Sequence, residues 1–263
     1  MTHADLWPLF QDLRFAGVRA HPEHGPCFVA EGRILVEDLL AWGRAGRVRV
    51  VAVLAETGAA EAARALLPPG AVLLTASRAE LEALAGFPFH RGLLAAARVP
   101  EPPARERLAD CARLLALPAV ADAENLGQLL RTAAALGLDG ALLGPGPDPF
   151  SRRAVRVSMG AVWKLPLWRP AEPWPELAAW RSAGPVPGEL SAAALTLDSV
   201  PVQAWQPGPR AALVLGPEGP GLDPQAIARC DRTVRVPMAE GVDSLNVAAA
   251  GAILMHRLMT APR

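Results

Sequence analysis

Short apolar runs alternate with helix-patterned stretches along most of this chain, and that alternation restrains the fold more than any other feature. Residues 48–54 (VRVVAVL) read as a buried strand, 61–67 as a helix stopped by Pro68-Pro69-Gly70, 72–75 as a strand, 78–85 as a helix and 92–99 as a strand. A second series follows. Residues 117–121, 140–143, 211–215 and 234–236 are strand candidates, 125–136 is a helix ending at Gly137, and 244–259 is an Ala-rich apolar helix. Strands alternating with helices predict an α/β fold. Between the two series, residues 98–107 (RVPEPPARER) combine three prolines with a dense mixture of charges, which is linker chemistry. The expected organisation is an N-terminal domain over 1–100, a linker over 101–110 and a second domain over 111–263. Residues 166–209 hold nine prolines and four of the seven tryptophans, and their pattern names no clear element.

At 263 residues the chain can bury a core without a disulfide staple. Its 26 Lys+Arg balance 26 Asp+Glu, which excludes a uniformly basic coat but leaves room for a local basic patch. Every one of those cations except Lys164 is arginine, the residue suited to planar contacts with phosphate or carboxylate. Cys27, Cys111 and Cys230 lie far apart, with neither metal-ligand spacing nor a disulfide framework. That usage fits a reducing compartment, so a cytoplasmic location is expected. Asp5, Asp12 and Arg14 interrupt the first apolar stretch, which therefore does not read as a signal peptide. No uncharged apolar run reaches the roughly 18 residues of a membrane span.

Three loops carry candidate chemistry. The first, Asp122-Ala-Glu-Asn-Leu-Gly-Gln-Leu-Leu-Arg-Thr132, follows a strand and opens a helix. Asn125 can cap that helix or bind a substrate through its amide, and Arg131 stands near an apolar stripe of Leu126, Leu129, Leu130 and Ala133. The second, Leu215-Gly-Pro-Glu-Gly-Pro-Gly-Leu222, places three glycines in six residues. It lacks the Lys-Ser/Thr of a P-loop, and Pro217 and Pro220 remove donors that a phosphate nest would need. A rigid turn presenting carbonyls and Glu218 fits better. The third runs from Val236-Pro-Met through Gly241 to Ser244-Leu-Asn-Val. Asp243 or Ser244 is expected to cap the last helix, with Asn246 inside its first turn. Taken singly, each loop also fits a plain helix cap or strand-to-helix turn.

Together the three loops resemble the SpoU-type RNA 2′-O-ribose methyltransferases of the SPOUT superfamily. The matching residues are Asn125, Gly127, Arg131 and Thr132 in the first, Gly216 to Gly221 in the second, and Pro237, Met238, Gly241 and Ser244 to Val247 in the third. The stretch from Asp148 to Ala161 is similar to the family's connecting segment, and the likeness covers about 115–259. Phe28-Val-Ala-Glu-Gly-Arg33 and His90-Arg-Gly-Leu93 resemble the family's smaller accessory domain, an L30e-like RNA-binding α/β module. Two positions depart from the family pattern. Ala123 replaces a frequent proline, at a cost in loop stiffness, and Pro217 replaces Asn or Ser, removing a donor.

The resemblance implies a parallel sheet with a trefoil knot, a feature physics alone would not propose. It also implies a homodimer and S-adenosylmethionine as methyl donor, with no metal. Leu215, Gly216, Gly219, Val236, Pro237, Met238, Ser244, Leu245, Asn246 and Ala248 would hold the donor. Asn125, Arg131, Glu218, Ser244 and Asn246 would form the catalytic group. Arg152, Arg153 and Arg156 form a cation cluster whose functional reading is contact with RNA and whose plain reading is a solvated helix face. His90 and His256 read as structural. The expected reaction is methyl transfer to a ribose 2′-hydroxyl of rRNA or tRNA. Two other readings stay open: an RNA-binding protein of the same fold without turnover, and a base-nitrogen RNA methyltransferase. A dinucleotide enzyme is disfavoured, because no glycine fingerprint with a downstream acid is present.

Overall fold

The computed structural model describes residues 3–13, 17–86, 92–184, 186–242 and 244–261. Arg14, the His90-Arg91 pair and Asp243, singled out above, lie outside the described residues. The chain divides into two compact units, Met1–Glu101 with Asp148–Trp163, and Pro102–Pro147 with Lys164–Arg263. Residues 148–163 thus group with the first unit, although the sequence on both sides of them belongs to the second.

The first unit has a five-stranded sheet made of β1 (Arg19–His21), β2 (Gly25–Glu31), β3 (Val50–Glu56), β4 (Val72–Ala76) and β5 (Leu93–Arg98), in the order β1-β2-β5-β3-β4. Among the described residues only β3 and β4 pair in parallel there. Helices α1 (Arg33–Arg44), α2 (Ala60–Leu66) and α3 (Arg78–Ala85) accompany it. A capping box between Ser77 and Glu80 starts α3, and Gly86, at φ 77°, ends it. The strands and helices expected between 48 and 99 are all present, with ends displaced by a residue or two. Leu6, Leu9 and Phe10 of the N-terminal stretch are buried against Leu54, Leu74 and Leu94.

Among its described residues the second unit carries seven strands, all parallel: β6 (Arg113–Leu117), β7 (Gly140–Leu143), β8 (Leu167–Trp168), β9 (Glu189–Ala193), β10 (Val200–Pro201), β11 (Ala211–Val214) and β12 (Arg232–Arg235). Their order is β10-β12-β9-β11-β6-β7-β8. Helices α4 (Ala123–Leu136), α5 (Pro173–Ala183), α6 (Pro224–Ala228) and α7 (Val247–Thr260) complete it. Strands β6, β7 and β11 are buried at every residue, as continuous apolar runs in a covered parallel sheet should be.

Two expectations need correction. The strand expected at 117–121 is β6, which ends at Leu117, because Pro118 has no N–H for a ladder. The stretch 101–110 is only partly linker: Leu108 is 3% exposed and packs with Leu114 and Trp180, and the Ala109 carbonyl accepts from Arg210 at 3.0 Å. Residues 166–209, illegible by pattern, supply α5, β9 and the buried Trp168, Trp180 and Trp205. Among the described residues no helix is long and apolar enough to cross a membrane.

Candidate active site

The parallel sheet places the carboxyl ends of β12, β9 and β11 side by side. Open parallel sheets characteristically bind ligands beyond such ends. The loops leaving these three strands, with the first turns of α7, line a cleft of about 410 Å3. Its walls come from Ala193–Thr196 after β9, Leu215–Leu222 after β11, and Val234–Val236 with Met238 around the end of β12.

The turn after β11 is built by its glycines. A Cβ on Gly216 would lie 2.5 Å from the carbonyl carbon of Gly221 and 2.5 Å from the Leu222 nitrogen, so only glycine fits where the turn closes on itself. The Gly221 N–H donates to the Pro217 carbonyl at 3.1 Å, and Gly219 and Gly221 have φ of 89° and 68°. This geometry sets Glu218 on an exposed tip.

At that tip a closed ring of three side chains forms. Asn125 Nδ2 donates to Glu218 Oε2 at 2.7 Å. Asn246 Nδ2 donates to Asn125 Oδ1 at 3.0 Å and to Glu218 Oε1 at 3.3 Å. A carboxylate can only accept, so both amides turn an NH2 toward Glu218. The ring ties α4, the β11 turn and the start of α7 together. Close helix packing permits this: a Cβ on Gly251 of α7 would stand 2.5 Å from Leu129 of α4.

Two capping expectations are reversed. Asp122, not Asn125, caps α4, accepting from the N–H groups of Glu124 (2.9 Å) and Asn125 (3.0 Å). Asn125, only 6% exposed, thereby keeps its amide for the ring. Asn246, not Ser244, caps α7, its Oδ1 accepting from Ala248 (2.8 Å) and Ala249 (3.3 Å). The last helix consequently starts at Val247, and Ser244 is an exposed residue on the cleft wall.

Of the residues expected to hold a donor, Leu215, Gly216, Gly219, Val236, Met238, Ser244, Leu245 and Asn246 line the cleft. Pro237 and Ala248 do not; Ala248 is buried in the first turn of α7 and meets the site only through its capped N–H. Sequence reasoning missed the wall formed by Ala193, Ala194, Leu195 and Thr196. The signal was a short apolar run, 190–195, stopped by the turn chemistry of Thr196-Leu-Asp-Ser.

Arg131 is exposed on α4 and is not part of the cleft lining, and no side-chain hydrogen bond or ion pair engages it among the described residues. Six helical residues separate it from Asn125, about 9 Å along the axis and about 240° around it. The two side chains therefore leave different faces of α4. His256 is exposed on α7, outside the cleft lining.

The other arginine cluster belongs to the first unit. Arg152 Nε donates to Glu31 Oε2 at 2.7 Å and its Nη1 to the Leu13 carbonyl at 3.0 Å. Arg156 lies 3.4 Å from Glu31 Oε1. Glu31 is 6% exposed, so two of the three guanidiniums meet a buried carboxylate within their own unit. Arg153 is exposed on the same short helix, Arg152–Val157. Among the described residues no group of three or more His, Cys, Asp or Glu is placed to hold a metal ion.

A family model described as the SpoU rRNA Methylase family matches residues 112–256. An uncharacterized tRNA/rRNA methyltransferase of Mycobacterium tuberculosis is 37% identical over 94% of this chain and 86% of its own length. The 23S rRNA (guanosine-2′-O-)-methyltransferase RlmB of Acinetobacter baylyi is 34% identical over 72% of this chain and 78% of its own. Among solved structures, an AdoMet-bound rRNA methyltransferase from Sinorhizobium meliloti superposes with a TM-score of 0.72 at 27% identity, covering 88% of this chain and 86% of that one.

Proposed function

The chain belongs to the SpoU rRNA methylase family, and from that premise we propose that it transfers a methyl group from S-adenosylmethionine to a ribose 2′-hydroxyl of rRNA or tRNA. The observation that carries this reading is the Asn125–Glu218–Asn246 ring, closed at the rim of a cleft beyond three parallel strand ends.

The residues present fit the donor. The cleft volume falls within the roughly 300–1,000 Å3 usual for small-molecule sites. Leu215, Val234, Val236, Met238 and Leu254 offer apolar walls to a flat purine, and main-chain groups at the strand ends offer polar contacts. The Glu218 carboxylate beside the cleft suits a cationic sulfonium. When bound, the donor supplies a methyl group already activated by positive sulfur.

The rest is the chain's own work. The ring fixes the position of the β11 turn against α4 and α7. The exposed Ser244 hydroxyl is available to orient a nucleotide. As the 2′-hydroxyl loses its proton, negative charge develops on oxygen. A guanidinium keeps its proton in proteins and cannot serve readily as the base. Arg131 instead stabilises that charge and grips the adjacent phosphate. Because Arg131 stands outside the cleft lining of its own chain, the site is completed in a homodimer, where the guanidinium of one copy meets the cleft of the other. The chain after β12 returns to pack α7 on α4 and β11, a path that supports the trefoil knot implied by the family. The first unit serves as the L30e-like RNA-binding module, with Arg153 and Arg156 on its exposed surface. The protein works in the cytoplasm, where its RNA is.

The test is to incubate the protein with methyl-labelled S-adenosylmethionine and unmodified rRNA or tRNA, then digest to nucleosides. Label in 2′-O-methylated nucleosides is expected. Label in bases would replace this reading with base-nitrogen methylation, and no label with an RNA-binding protein that does not turn over.

A further inference from the structure

One wall of the cleft is a loop held by hydroxyl groups. Residues Ala193–Thr196, which border the cleft, leave β9 and turn into β10 through Leu197, Asp198 and Ser199. Leu195 and Leu197 stand in solvent, at 59% and 108% exposure, so apolar burial does not hold this turn in place. Polar contacts do. Ser199 Oγ lies 2.7 Å from the Ala194 carbonyl, and the Thr196 N–H donates to Ser199 Oγ at 2.8 Å. Thr196 Oγ1 lies 2.7 Å from Asp198 Oδ1. Across the sheet, Thr233 Oγ1 of β12 lies 2.8 Å from Thr196 Oγ1 and 3.1 Å from Ser199 Oγ.

Each hydroxyl has one proton, which limits the directions, and Thr196 Oγ1 also lies 2.8 Å from Ser199 Oγ within the loop. The Ser199 proton goes to the Ala194 carbonyl, which can only accept. The Thr196 proton goes to the Asp198 carboxylate, which also can only accept. That hydrogen bond holds the Asp198 carboxyl below its usual pKa. The remaining proton, on Thr233, is the one available to bridge from β12 to the loop, into Thr196 Oγ1, whereas in the 3.1 Å contact with Ser199 the Thr233 oxygen is the acceptor. Ser199 and Thr233 are 5% and 7% exposed, and buried hydroxyls of this kind specify geometry because leaving one unmade is costly.

Strands β9 and β12 are neighbours, and each continues into a wall of the same cleft. We propose that Thr233 is a positioning residue for the donor cleft: its hydroxyl clamps the Ala194–Thr196 wall to the β12 wall and sets their separation for the nucleoside of the donor. Thr233 lies behind the loop and outside the lining, so it acts through Thr196 and Ser199 rather than by touching the ligand. The proposal rests on reading the cleft as the S-adenosylmethionine site.

The test compares the wild-type protein with Thr233→Val, which keeps the shape and removes the proton, and with Thr233→Ser, which restores it. S-Adenosylhomocysteine binding is measured by calorimetry, and KM and kcat by methyl transfer to rRNA. Loss of one hydrogen bond predicts a Kd raised about 3- to 10-fold in the valine variant. The donor KM should rise in step, kcat at saturating donor should stay within about twofold, and serine should restore binding. Valine binding equal to wild type, or serine failing to restore it, would overturn the role of Thr233 alone. A wild-type protein that bound no S-adenosylhomocysteine would overturn the reading of the cleft, and the clamp with it. Should the valine variant not fold, Ser199→Ala decides instead, since it unties Ala194 and Thr196 from within the loop; unchanged binding there overturns the proposal.

Discussion

Arg131→Ala abolishes methyl transfer while S-adenosylmethionine still binds. The side chain is exposed on α4 and outside the cleft, so truncation leaves the donor walls untouched. It removes the only group assigned to the developing oxyanion, and loss of one such stabilising donor typically costs about 100- to 1,000-fold in rate. Loss of the phosphate contact adds to that. Single-turnover transfer from labelled donor and calorimetric titration with S-adenosylhomocysteine separate the two effects. Turnover near the wild-type rate in this variant would remove Arg131 from the mechanism.

Gly216→Ala acts on the other half of the site. The added methyl would meet backbone at 2.5 Å, at the peptide group joining Gly221 to Leu222, where no flexible side chain can yield. The β11 turn must open, and Glu218 moves with it out of reach of Asn125 and Asn246. Overpacking of this kind costs about 2 kcal/mol, and donor binding weakens by about 30-fold if that distortion must be reversed in the complex. Equilibrium binding of S-adenosylhomocysteine measures it, with thermal unfolding as the control. An alanine variant with an unchanged Kd would show that the turn does not need its close approach.

What the sequence disclosed depended on the range of the interactions involved. Helix α4 was legible because an apolar stripe of Leu126, Leu129, Leu130 and Ala133 precedes a stopping Gly137. The caps were misread because Asp122, Asn125, Ser244 and Asn246 are all competent caps by type. Which of them caps depends on the ring, whose members lie up to 121 residues apart. Strand β9 hid within a Pro- and Trp-rich stretch because Glu189-Leu-Ser-Ala-Ala lacks β-branched residues, and its neighbours make it a strand. Trp168, Trp180 and Trp205 form core that periodicity could not locate, since β8 and β10 are two residues long. The triplet Arg152, Arg153 and Arg156 showed its charge but not its partner, for Glu31 is 121 residues from Arg152. The three candidate loops were the clearest part, because their glycines, amides and carboxylate stand at short spacings that need no distant partner to be read.

In the proposed dimer a cleft in one copy is completed by a guanidinium from the other. Two variants decide it, assayed at a donor concentration near the wild-type Kd, where Arg131→Ala lacks the transfer step and Gly216→Ala is left largely without donor. Arg131→Ala keeps its cleft and Gly216→Ala keeps its guanidinium. If the subunits exchange at random, half of the dimers are mixed, and each mixed dimer holds one intact site of two. Unfolding and refolding an equal mixture should then recover about one quarter of wild-type methyl transfer, if sites act independently. A mixture as inactive as its two components would contradict the claim, since it would place both groups of each site within a single chain.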